Sequence, residues 1–186
     1  MARHVLAVYA AKRLVWATIC QDAEGILSIM PNLDKFDLAI LKCLQEDARA
    51  TNVEIAEKVN LSPSPCLRRI RNLEKTGVIR GYRADIDRRE VGLGLTVFVE
   101  LKVAHHSREN AQAQEAALLA IPEVVSCFLI SGTADFLAEV VVEDLTAYER
   151  LLTDTLLTLP NVSDIRSNFA IRSMKTHGAL KLPEPK

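Results

Sequence analysis

Little in this 186-residue chain marks an unusual protein class. Seven glycines and seven prolines are too few for a collagen-like or low-complexity protein. With 49% hydrophobic and 25% charged residues, the chain is not intrinsically disordered either. Its four cysteines, Cys20, Cys43, Cys66 and Cys127, stand far apart, with no Cys-x-x-Cys pair and no histidine at metal-ligand spacing. That pattern excludes a metal site and reads as reduced packing thiols in a cytosolic protein. Apolar runs are short as well. Val5 to Ala11 stops at Lys12 and Arg13, too early to span a bilayer or to form the core of a secretion signal. No nucleophile with a companion base is visible, so an enzyme is not expected and no cofactor is called for. Asp85, Asp87 and the many glutamates read as solvated faces, His105-His106 as a solvated loop, and His4 and His177 have no partners in sequence.

A strong charge of one sign is also missing. The formal net charge of −1 argues against a uniformly basic nucleic-acid coat. The balance hides an asymmetry, however: residues 1 to 90 carry 15 Lys/Arg against 12 Asp/Glu, and residues 91 to 186 carry 8 against 12. Such halves of opposite sign point to separate tasks.

What is present begins at Leu33. Residues 1 to 32 hold the single tryptophan, Trp16, but no cap or turn signal ties them to a following element. They read either as an arm that packs on a partner or as an extension ahead of a natural start at Met30, and the missing signals favour the second reading. From Leu33 the apolar residues Leu33, Phe36, Ile40, Leu41 and Leu44 follow helical spacing. Thr51 and Glu54 then have capping-box spacing ahead of a short helix carrying Val53, Ile55, Ala56 and Val59. Asn60-Leu61 makes a brief turn. Ser62-Pro63 offers an N-cap followed by proline at the first helical position, and Pro65 is still within the tolerant first turn. The third helix runs to about Thr76 and ends at Gly77.

This third helix is the most informative element. At 100° per residue, Cys66, Ile70 and Leu73 share one face, with Leu67 at its edge, while Ser64, Arg68, Arg71 and Lys75 line the other. Between Arg68 and Arg83 there are six basic residues, Arg68, Arg69, Arg71, Lys75, Arg80 and Arg83, against the single acid Glu74. Alone, an arginine-rich helix is more often a solvated face than a binding element. Two short helices joined by a tight turn, the second basic on its outside, make the helix-turn-helix pattern. Arginine and lysine neutralise phosphates, and arginine also reads guanine through two parallel hydrogen bonds.

Val78 to Ile86 reads as an extended, wing-like strand, so the DNA-binding domain spans 33 to 86 and a linker containing Gly92 and Gly94 spans 87 to 94. A second domain follows over 95 to 175, with 176 to 186 as a C-terminal tail. Leu95 to Val103 alternates as a strand, Ser107 to Ala120 is helical, Val124 to Ser131 and Phe136 to Val142 are strands, Leu145 to Leu159 is a helix, and Val162 to Ser173 is a last strand. The order strand, helix, strand, strand, helix, strand predicts an antiparallel sheet with both helices on one face.

The chain resembles the Lrp/AsnC family of feast/famine transcription regulators over about residues 33 to 182. The likeness rests on Leu33-Asp34, Thr51-Asn52-Val53-Glu54, Leu61-Ser62-Pro63-Ser64-Pro65-Cys66-Leu67-Arg68-Arg69 and Gly77-Val78-Ile79-Arg80-Gly81-Tyr82. It continues through Val97-Phe98-Val99-Glu100, Ser131-Gly132, Asp135-Phe136 and Leu159-Pro160-Asn161-Val162. The resemblance implies an α+β protein, an N-terminal winged helix-turn-helix joined to a ferredoxin-like effector and oligomerisation domain. It implies homodimers that assemble further, up to octamers, and a cytoplasmic, nucleoid-associated regulator of amino-acid metabolism genes that senses an amino acid or related metabolite.

The DNA-binding residues so expected are Ser64, Arg68, Arg69, Arg71, Lys75, Arg80 and Arg83, acting on a double-stranded operator. The effector-binding residues carried over are Gly132, Thr133, Ala134 and Asp135 of one loop, with Asn168, Phe169 and Ala170 of the last strand. Many members have an acid at Thr133 and an aromatic or aliphatic residue at Asn168, and both departures argue against leucine as the effector. A glycine-containing turn can offer backbone N–H groups to a carboxylate, and an aspartate can hold an α-ammonium, although the same four residues also make an ordinary turn. The alternative function is an architectural DNA-binding protein with little sequence choice, separable by the ratio of operator to random-DNA affinity at fixed salt.

Overall fold

The computed structural model describes residues 33–104 and 108–184. The N-terminal extension and the His105-His106 loop lie outside the described residues. The chain divides into two units, one running to Asp85 and resuming at His177, the other Ile86–Thr176.

In the first unit, helix α1 (Lys35–Glu46) opens with an aspartate pair. The Asp34 side chain accepts from the Phe36 and Asp37 N–H groups, and the Asp34 N–H donates back to Asp37. Helix α2 (Asn52–Lys58) opens with the expected capping box: Glu54 N–H to the Thr51 hydroxyl, Thr51 N–H to the Glu54 carboxylate. Because its carboxylate accepts from the Thr51 backbone and hydroxyl, the Glu54 pKa is lowered. Asn60, at φ 55°, makes the turn into helix α3 (Pro63–Lys75). The core of the unit is built from Ile40, Ile55, Ala56, Val59, Cys66, Ile70 and Leu73.

Two local expectations fail here for physical reasons. Ser62 stands at the N-cap of α3 but makes no side-chain cap hydrogen bond. Its usual targets are the N–H groups of the second and third helical residues, and the third is Pro65, which has none. The segment Val78 to Ile86 forms no strand, because no second segment pairs with it among the described residues. It is held instead by Ile79 N–H to Leu73 O, by the Tyr82 hydroxyl donating to Glu74, and by Gly77 at φ 73°. A left-handed backbone there favours glycine. The tail joins this unit: the Gln45 side-chain amide accepts from the Leu180 N–H at 2.6 Å and donates to the Leu180 carbonyl at 3.3 Å.

The second unit is a four-stranded antiparallel sheet in the order β2-β3-β1-β4. Its elements follow one another as β1 (Leu95–Val103), α4 (Arg108–Leu119), β2 (Val124–Leu129), β3 (Phe136–Val142), α5 (Leu145–Asp154) and β4 (Val162–Phe169). The alternation in β1 is carried through: Val97, Val99, Leu101 and Val103 are buried, with Phe136, Ala138, Val140 and Val142 of β3 beside them. Leu118, Ile121, Tyr148, Leu151 and Leu156 cover that face. On the other face stand Phe98, Glu100 and Lys102 of β1 and Asp164, Arg166 and Asn168 of β4. Residues of the expected linker are folded onto this unit, since Arg88 donates to Glu139 at 2.8 Å and to the Thr96 hydroxyl at 3.2 Å. Three expected boundaries move, the first at β2, which stops at Leu129 rather than at Ser131. Helix α5 breaks at Thr155 into a 3-10 turn, Leu156–Thr158, and β4 stops at Phe169 rather than at Ser173, with one further hydrogen bond from the Ala170 N–H to the Thr96 carbonyl.

Candidate nucleic-acid interface and effector site

Helix α3 presents its two faces as the periodicity demands. Cys66, Ile70 and Leu73 are buried, and Ser64, Arg68, Arg71 and Lys75 are exposed together on the opposite side. Arg80 and Arg83 are exposed on the segment that follows. One charge in the stripe is placed differently. The Arg69 Nη1 lies 2.8 Å from Asp34 Oδ2 and 2.8 Å from Asp37 Oδ1, and its guanidinium sits 5.3 Å from the centre of the Phe36 ring. Arg69 is therefore not part of the outward basic face. A helical wheel puts it about 60° from Cys66, on the apolar side, which was the available signal in the sequence.

The electrostatics agree with that geometry. The hydrogen bond to Asp37, outweighing burial, raises the Arg69 pKa. Burial works to raise the Asp34 pKa, but hydrogen bonds from the Asp37 N–H, Arg69 and the Phe36 N–H hold it below the usual range.

The expected effector residues do not form one cluster within the chain. The loop Gly132 to Asp135 lies at the Leu101 to Val103 end of β1. Asn168 is opposite Phe98, and the Ala170 N–H donates to the Thr96 carbonyl, so these two lie roughly 10 Å or more further along β1 at about 3.4 Å per residue. Phe169 points to the helical face, where its ring meets that of Tyr148 edge to face at 5.5 Å. Asn168 faces the other way and donates to Glu100 at 3.2 Å. Strand alternation alone forbids two consecutive residues from sharing a face.

Asp135 has a structural commitment that the sequence did not reveal. It is 9% exposed, and its Oδ2 accepts from the Val103 N–H at 2.9 Å, beside the shift of register between β1 and β4. Asp135→Ala would leave that buried N–H unpaired, and a loss of about 1–3 kcal/mol in folding stability is expected in urea melts. An unchanged melt would mean that the carboxylate is free for other work.

The loop's nearer neighbours are charged. A shallow cavity is lined by Thr133 and Ala134 with Glu100, Lys102, Asp164 and Arg166. Glu100 stands opposite Arg166, and Lys102 opposite Asp164, in the strand register. Among the described residues there is no group of acids, histidines and cysteines that could hold a metal ion. Burial pushes the Cys66 and Cys127 thiols up, which suits packing rather than nucleophilic chemistry.

Known proteins share both halves of this arrangement. A family model described as winged helix-turn-helix DNA-binding matches residues 33–80, and one described as Lrp/AsnC ligand binding domain matches residues 96–180. The Bkd operon transcriptional regulator of Pseudomonas aeruginosa is 39% identical over 150 residues, which cover 81% of this chain and 98% of the relative. The chain belongs to the Lrp/AsnC family.

A leucine-responsive regulatory protein of Rhizobium meliloti is 41% identical over 77% of the chain and 92% of its own length. Among solved Lrp/AsnC-type structures, a Neisseria meningitidis transcriptional regulator in complex with L-methionine matches with a TM-score of 0.74 at 39% identity, covering 81% of this chain and 96% of the other. An AsnC family regulator from Agrobacterium tumefaciens matches with 0.75 at 36%, covering 81% and 97%. The protein is thus a DNA-binding transcription regulator with an Lrp/AsnC ligand-binding domain, and not an enzyme. No helix among the described residues is long and apolar enough to cross a membrane.

Proposed function

We propose that this regulator recognises a specific operator near genes of amino-acid metabolism and that an amino acid or related metabolite tunes its occupancy. The observation that carries the first half is the exposed face of α3, where Ser64, Arg68, Arg71 and Lys75 stand together opposite a buried stripe. A homodimer with two-fold symmetry presents two such helices about one helical turn of DNA apart, so the operator is an imperfect palindrome. Arg80 and Arg83 serve the flanking phosphates. Dimers assemble into a higher oligomer such as an octamer, and a DNA partner puts the protein in the cytoplasm, at the nucleoid.

The effector site includes the Gly132 to Ala134 loop and its charged neighbours Glu100, Lys102, Asp164 and Arg166. A free amino acid carries one positive and one negative charge, and this patch offers both complements. Names among the relatives that point to leucine, and the L-methionine complex of the Neisseria protein, support an amino acid as the class. Thr133 and Asn168 argue against leucine itself. Asn168, Phe169 and Ala170 of one chain take part only where assembly brings them to the loop of another.

Thermal shift against all twenty amino acids tests this half. A true effector at about a hundred times its Kd should stabilise the protein by about 2.7 kcal/mol. No shift with any amino acid would sink the effector assignment. Selection of duplexes from a random pool tests the other half, since an architectural protein would enrich no sequence over random DNA at physiological salt.

A further inference from the structure

The reading helix carries adjacent arginines that composition treats alike, Arg68 and Arg69, and the structure gives them different partners. Arg68 is exposed on the outward face, whereas Arg69 turns back onto the start of α1. There the two carboxylates are already ordered by each other. One oxygen of Asp34 caps the helix and one oxygen of Asp37 takes the Asp34 N–H, while the remaining oxygen of each meets the same guanidinium nitrogen. The Phe36 ring flanks the guanidinium.

This junction matters because of where α3 is otherwise held. Of its buried residues only the small Cys66 lies in the first half, with Ile70 and Leu73 in the second, and the attraction of apolar surfaces is non-directional. Its first turn has two prolines and no side-chain cap; the Asn52 side chain, donating to the Pro63 carbonyl at 2.9 Å, is a tie there. Yet the first turns of a recognition helix are the part that reaches base edges. A directional contact from Arg69, one residue after Arg68, sets the rotation of that part about the helix axis.

We propose that Arg69 is a positioning residue for DNA reading: clamped by Asp34 and Asp37, it sets the rotation of α3 that aims Ser64, Arg68 and Arg71 at the groove, and it contacts no phosphate itself. The proposal rests on sequence-specific binding by α3. It divides the six basic residues between Arg68 and Arg83 into five charges offered to DNA and one retained by the fold.

The test uses the full-length protein, a duplex selected by the wild type from a random pool, and a shuffled duplex of the same length, each titrated across a salt series. Arg69→Ala is expected to lower the ratio of selected to shuffled affinity about tenfold, the size of one mis-set base contact. The salt slope on the shuffled duplex should stay unchanged. Asp37→Asn keeps the arginine and a cap acceptor, so it covers the case in which Arg69→Ala does not fold. It should lower the same ratio, and adding Arg69→Ala to it should bring little further loss.

A slope reduced by about 0.9 in Arg69→Ala would make Arg69 a phosphate contact and overturn the proposal. A lower melting temperature with an unchanged affinity ratio in folded variants would overturn it too, leaving Arg69 a brace for stability. If the wild type itself selects no sequence, sequence-specific reading fails first and the proposal falls with it, a result distinct from the other two.

Discussion

Arg68→Ala combined with Arg71→Ala is expected to weaken binding to a selected duplex about a hundredfold and to reduce the salt slope by up to about 1.8, if both side chains reach phosphates. Both residues are exposed on the face of α3 opposite Cys66, Ile70 and Leu73, so neither supports the core. Surface changes of this kind usually alter folding stability by less than about 0.5 kcal/mol, and the melting curve should hardly move. The salt series separates the two roles an arginine can play. Losing a phosphate contact lowers the slope and weakens selected and shuffled DNA alike, whereas losing a base contact spares the slope and erodes only the preference. Unchanged affinity by gel shift and anisotropy would mean that α3 is not the reading helix.

Leu101→Ala should cost about 2–5 kcal/mol of stability in the ligand-binding unit, measured as a shift of the urea midpoint. Leu101 is fully buried on one of the two central strands, opposite Phe136 on one side and Ile165 on the other. Strands on both sides are hydrogen-bonded to its own, so the backbone can collapse little around the lost side chain. The cost therefore combines lost burial with an unfilled cavity. Leu137, one residue away in β3 and on the opposite face, is the control, and its truncation should cost less. A change below about 1 kcal/mol at Leu101 would mean that the helical layer closes over the gap.

Much of this protein was legible without its structure. Strand β1 begins and ends where the alternation does, the Thr51 capping box forms, and the buried and basic faces of α3 are those read from the wheel. Each of these depends on residues within one or two turns or on strict alternation, and such patterns are written in adjacent positions. The failures differ in character. Ser62 makes no side-chain cap, and one of its two usual targets is missing because Pro65 has no N–H, a local fact that the residues themselves contained. The strand expected at Val78 to Ile86 is missing because a strand requires a partner, and its own residues cannot supply one.

The candidate sites divide along the same line. Periodicity and spacing, read along the chain, were enough to specify a helix-turn-helix with a basic outer face and, later in the chain, a βαββαβ unit, because secondary structure answers mostly to neighbours in sequence. Which charges are left for a ligand depended on pairs formed across the fold. Arg69 meets Asp37, and Asp135 meets the Val103 N–H, each across a separation of 32 residues. A side chain's availability is set by whatever packing brings within hydrogen-bond distance, and no pattern of adjacent residues records that. Arg69 and Asp135, both expected at binding sites, thus each have a partner within the fold.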